Sequence, residues 1–87
     1  MCKDVRLKVS GYLKKARPWF ENLEIVKKNK LKQEDIEHFY EMAISYYRDS
    51  IHFYEKSNYI NSLSALEYAE GWLDAGKSIG IFRIRKK

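Results

Sequence analysis

The chain lacks most of what catalytic and membrane signatures require. A single cysteine, Cys2, in 87 residues excludes an internal disulfide and a cysteine cage for zinc. One proline and four glycines are too few for the many turns of a β-sandwich or barrel. No apolar run approaches the roughly 18 residues that cross a membrane, and the opening "MCKDVRLKVS" carries no signal-peptide hydrophobic segment. The expectation is one small cytoplasmic domain over 1–87. A chain of this size is near the lower limit at which a single core suffices, so helix pairing or a second subunit is expected to contribute.

Charge, by contrast, is plentiful and uneven. Residues 1–32 hold ten Lys or Arg against three acids, residues 33–80 three against nine, and residues 81–87 four against none. The ends are basic and the middle is acidic. Lys14, Lys15 and Arg17, with Lys27, Lys28, Lys30 and Lys32, and the tail residues Arg83, Arg85, Lys86 and Lys87, form the candidate nucleic-acid-binding set. Solvated surface and pairing with the acidic middle are the competing readings of the same charges.

Apolar spacing predicts an all-α fold of three helices. The first is expected over about 4–27, because Val5, Val9, Tyr12, Ala16, Phe20 and Leu23 recur at intervals of three and four. Pro18 removes one backbone hydrogen bond there, yet the stripe keeps its phase across it. That combination predicts one helix bent at the proline, with Pro18 on the solvent side. Asn29 is a candidate C-cap in the linker that follows. The second helix is expected over about 33–56, with Glu34 and Asp35 complementing its positive N-terminus. A short "KSN" link to a third helix over about 59–79 makes the last two an antiparallel hairpin, with 81–87 as an exposed or loosely docked tail.

The segment "YAEGWLDAGKSIG", Tyr68 to Gly80, carries three of the four glycines. Projected on a helix, Ser62, Ala65, Ala69, Gly76 and Gly80 form a narrow small-residue strip. It faces an equivalent strip of Ala43 and Ser50 on the second helix, an arrangement that lets two backbones approach closely. Gly71 falls instead on the polar face beside Glu67, Glu70 and Asp74, where glycine costs about 1 kcal/mol relative to alanine. Close approach by another segment or a second subunit, a ligand, or no special role are all consistent with it.

The span "AISYYRDSIHFYEKSNYINSLSALEYAEGWLDAGKSIG", Ala43 to Gly80, resembles the archaeal domain-of-unknown-function family numbered 357. The matching positions are Tyr47 (or Tyr46), Asp49, Tyr59, Leu63, Tyr68, Ala69, Gly71, Leu73, Asp74, Ala75, Gly76 and Gly80. The pattern departs at the turn, where Ser57-Asn58 replaces Gly-Asp, and at Ser62, where alanine is usual. The resemblance implies a small all-helical archaeal protein and no particular activity. HEPN-type ribonuclease hairpins look loosely similar, but Arg48 and His52 stand too close together for that motif.

No catalytic constellation, metal set or cofactor motif emerges. Glu67, Glu70 and Asp74 share a helix face, but carboxylate metal sites in bundles draw ligands from several helices, so a solvated acidic face is the preferred reading. Asp49 lies at the edge of the apolar arc and is expected half-buried, as a polar clamp to a tyrosine, lysine or the Trp72 indole. Asp49, Glu70, Gly71, Trp72 and Asp74 are therefore the candidate contact residues. The apolar arcs of the second and third helices exceed what one three-helix bundle covers. The expected function is a non-enzymatic interaction module that forms a homodimer or binds another protein, with Tyr68, Trp72 and Ile79 near the interface.

Overall fold

A computed structural model describes residues 2–27 and 29–85 of the chain. Three helices, α1 (Cys2–Glu21), α2 (Gln33–Glu55) and α3 (Tyr59–Ser78), build the fold, and two short strands, β1 (Leu23–Ile25) and β2 (Phe82–Ile84), close one end. Pro18 stands exposed within α1, which runs on past it to Glu21. The hairpin of α2 and α3 is the main packing unit, and α1 packs against both of its helices.

Three expectations need correction, at the chain's basic ends and in the linker. The first helix does not reach residue 27 but ends at Glu21, and Leu23 lies on a strand. Asn22 turns the chain, its backbone and side-chain nitrogens both donating to the Pro18 carbonyl, at 3.0 and 2.8 Å. Residues 81–85 are not a loose tail. The chain returns as β2, antiparallel to β1, with Leu23 opposite Ile84, Glu24 opposite Arg83 and Ile25 opposite Phe82. Val26 N–H to Ile81 O and Arg85 N–H to Asn22 O, both 2.8 Å, extend the ladder at each end. Asn29 caps no helix; it ties the linker, donating to Val26 O at 2.6 Å and accepting from Leu31 N–H at 3.0 Å.

Each end of the hairpin helices has a specific stop. After α3, Gly80 adopts φ +84°, Ile81 N–H bonds Gly76 O at 2.9 Å and Gly80 N–H bonds Lys77 O at 3.2 Å. This is the paired capping of a Schellman turn, which needs a left-handed residue at the position Gly80 occupies. Gly80 is thus a turn residue outside the helix and exposed, not part of the packing strip. The end of α2 repeats the pattern with Asn58 N–H to Phe53 O at 2.8 Å and Ser57 N–H to Tyr54 O at 3.0 Å. Here the left-handed residue is Ser57, at φ 62°, a conformation that disfavours a side chain. Asn58 then begins α3, its side chain accepting from Asn61 N–H.

Small residues do bring α2 and α3 together. Ser50 and Ser62 are fully buried and bond reciprocally: each hydroxyl donates to the other's backbone carbonyl at 2.7 Å. Satisfying both hydroxyls in this way removes the cost of burying them. Ala43, Ala65 and Ala69 continue the close approach, and Leu66 and Leu73 fill the space toward α1. Phe20 of α1 stacks on Tyr47 of α2, with ring centroids 4.5 Å apart. Gly76 is buried, but its neighbour is the tail: a Cβ there would stand 2.0 Å from the Phe82 ring. Ile81 and Phe82 complete the core beneath the ribbon.

Candidate functional site

The outward side of α3 carries the residues the sequence singled out, sorted onto two flanks. On the flank toward α2, Trp72 is held edge-on by Phe39 at 5.0 Å and by His38 at 5.5 Å. Tyr68 stacks on Tyr46 at 5.2 Å yet remains 63% exposed. Between these aromatics runs an open groove of about 610 Å³, lined by Phe39, Tyr68 and Trp72, by the small residues Ser64, Gly71 and Ala75, and by Glu67 at its edge. Gly71 gives the groove its depth. Nothing among the described residues lies within 4 Å of where its Cβ would be, so no described segment of the same chain packs on this glycine. Ile60 on α3 and Ile79 just past its end leave further apolar surface exposed.

The flank toward α1 is acidic. Tyr12 of α1 donates its hydroxyl to the Glu70 carboxylate, which fixes α1 against α3 and leaves Glu70 half-buried. Burial raises the Tyr12 hydroxyl above the usual tyrosine range. The Glu70 hydrogen bond and the negative charges of Glu70, Glu67 and Asp74 push it the same way. Tyr12 therefore stays protonated at neutral pH and acts as a donor rather than as a base or nucleophile. Glu67 and Asp74 are exposed, and neither has a Lys or Arg ion-pair partner among the described residues. Among the described residues no three His, Cys, Asp or Glu side chains are grouped to hold a metal ion.

Asp49 corrects another expectation. It is exposed on α2 and forms no side-chain hydrogen bond among the described residues. The buried clamp is its neighbour Ser50, paired with Ser62. The sequence signal was there, because Ser50 lies centrally in the apolar arc whereas Asp49 lies at its edge. Tyr12–Glu70 had no such signal, since its partners are 58 residues apart.

The basic residues are divided among separate places. Lys14 and Arg17 line a groove between α1 and α2 with Leu13, Tyr47, Ile51 and Tyr54. Arg17 also pairs with Glu21 at 3.4 Å. Lys15 is exposed on α1, and Lys27, Lys30 and Lys32 are exposed in the linker. Arg83 and Arg85 turn onto Glu24, at 3.0 and 3.6 Å. Lys28, Lys86 and Lys87 lie outside the described residues.

A family model for proteins of unknown function, DUF357, matches residues 11–82, from the middle of α1 to the first residue of β2. The chain belongs to the DUF357 family. The match takes in the whole hairpin, both Schellman turns, the Tyr12–Glu70 contact and the α3 groove, and extends the likeness well before Ala43, into α1. No curated protein and no solved structure matches this DUF357 chain.

Proposed function

We propose that this DUF357 protein is a cytoplasmic, non-enzymatic interaction module that assembles with itself or with another protein through the outward face of α3. One observation carries the reading: an open, largely apolar groove floored by Gly71, beside a tyrosine that packing holds in place but leaves 63% exposed. A helix face that accepts glycine's cost of about 1 kcal/mol and leaves aromatic surface uncovered fits contact with a partner better than contact with water. The fixed rings of Trp72 and Tyr68 lose little conformational freedom on binding, which suits aromatic anchors.

A photo-crosslinking residue placed at Ser64, in the groove, and at Arg48, exposed on α2, tests this in the cells that make the protein. A discrete covalent adduct from Ser64 and none from Arg48 supports the reading, and no adduct from Ser64 removes it. A second reading, RNA binding, draws on the α1–α2 groove, where Lys14 and Arg17 stand beside the Tyr54 ring. It requires affinity that falls steeply with salt and weakens on Lys14→Gln and Arg17→Gln.

A further inference from the structure

The exposed faces of α1 and α3 share a peculiarity. Each carries a glycine, Gly11 and Gly71, with nothing within 4 Å of a Cβ built on it. Neither glycine is required by packing inside the chain, and each weakens its helix. Gly71 sits between Glu67 and Asp74, and Gly11 sits between Lys8 and Lys15. Both charged pairs are spaced seven residues, about 10.5 Å along a helix. All four charged residues are exposed, and none has an ion-pair partner among the described residues.

We infer that the face of α3 around Gly71 is covered by the outward face of α1 from a second copy of this chain, the two helices crossing in parallel with Gly11 on Gly71. The inference rests on the interaction-module reading and names its partner. At 100° per residue, Lys8 and Lys15 lie to one side of Gly11, and Leu7 and Lys14 to the other. Glu67 and Asp74 lie to one side of Gly71 and Tyr68 to the other. When two parallel helices face each other, the clockwise flank of one meets the counter-clockwise flank of its partner, as e and g positions do in a parallel coiled coil. That geometry brings Lys8 to Glu67 and Lys15 to Asp74, each one residue out of level, about 1.5 Å. On the other flank it brings Leu7, 61% exposed, to Tyr68, 63% exposed. An antiparallel crossing sets Lys8 and Lys15 against Tyr68 and offers the acids only Lys14, so the parallel crossing, with two ion pairs, is the one charge favours. Two glycines at the crossing let the backbones approach closely, which gives both of them a role. Made reciprocally, the contact closes a two-fold dimer, with α1 on the partner's α3 and α3 on the partner's α1.

Sedimentation of the purified protein between about 1 and 200 µM, with charge-reversed variants, tests the inference. Wild-type protein is expected to dimerise. Glu67→Lys with Asp74→Lys in one chain, and Lys8→Glu with Lys15→Glu in another, are each expected to weaken self-association about tenfold or more. Mixing the two variants restores the complex, because each then offers the charge the other lacks. A Cβ at Gly71 meets nothing within 4 Å among the described residues and the groove beside it is open, so Gly71→Leu is expected to leave the far-UV spectrum intact while abolishing association. A monomeric wild type overturns the inference, as do variants that associate like wild type or a mixture that stays apart. A monomer that still forms a Ser64 adduct with a different protein overturns the second-copy partner alone and leaves the interaction module standing.

Discussion

The Phe82 ring lies on Gly76 so closely that a Cβ at that position would stand 2.0 Å from it. Gly71, on the same helix, faces open space. The same substitution at the two positions is therefore expected to have opposite signs. Gly76→Ala forces a core ring to move and is expected to cost about 1–3 kcal/mol. Gly71→Ala in the dilute monomer is expected to gain up to about 1 kcal/mol from helix propensity. Urea titrations of both variants at low protein concentration give the two values.

Ser57 holds the left-handed position that ends α2, where the family pattern has glycine. Ser57→Gly relieves that conformation and is expected to raise stability by about 0.5–1 kcal/mol, despite the extra freedom glycine gives the unfolded chain. Gly80→Ala, at the corresponding position after α3, is expected to lose about 1–2 kcal/mol. Thermal unfolding of the pair reads both effects as shifts of opposite direction.

The Tyr12–Glu70 contact carries a pH signature. A phenol whose folded-state pKa is raised above its unfolded value near 10 favours the protonated form in the fold. Its contribution is fully present below that unfolded value and is lost as pH climbs above it toward the folded value. Stability is therefore expected to fall at alkaline pH more steeply in wild-type protein than in Tyr12→Phe. Absorbance titration of phenolate in folded protein is expected to show a late-ionising tyrosine, and Tyr12→Phe to remove it. At neutral pH the same variant is expected to cost about 1.5–3 kcal/mol, the value of a hydrogen bond to a charged acceptor.

The buried Ser50–Ser62 pair sets the spacing of the hairpin. Ser50→Ala removes one donor and is expected to cost about 1 kcal/mol. Ser50→Leu forces α2 from α3 and is expected to cost more, about 1–3 kcal/mol from overpacking in addition to the lost bond. A denaturant series on the two variants separates the hydrogen bond from the spacing.

Removing residues 81–85 takes Ile81 and Phe82 out of the core along with the basic side chains. Truncating a buried phenylalanine alone costs about 3–5 kcal/mol. A tail deletion is thus expected to unfold the protein, which circular dichroism would register. Arg83→Gln with Arg85→Gln changes the charge and leaves the fold standing, so it is the variant suited to salt-dependence measurements.

The hairpin was legible in the sequence because its information is local. Apolar residues repeat at helical spacing over long stretches, and "KSN" is short enough to force antiparallel neighbours. The ribbon was not legible, because three-residue strands carry almost no periodicity and β1 finds its partner across most of the chain. Leu23 fits the phase of the α1 stripe, so spacing alone extends the helix through it. Gly80 likewise falls on the α3 strip when projected, although the chain has already turned there. At the candidate site, the wheel set the acids of α3 apart from Tyr68 and Trp72, but it gave no view of which flank α1 would occupy. Asp49 and Ser50 are adjacent in sequence, and a shift of 100° decided which of them is buried.

The ribbon has a consequence for the order in which the molecule assembles. The α2–α3 hairpin joins neighbours in sequence and closes quickly, whereas pairing Leu23 with Ile84 closes a loop around the entire hairpin. Helix α1 and the Phe82 ring are therefore expected to dock on a hairpin that already exists. In hydrogen exchange, the Ile25–Phe82 amides are the ones expected to open and exchange while α2 and α3 remain protected.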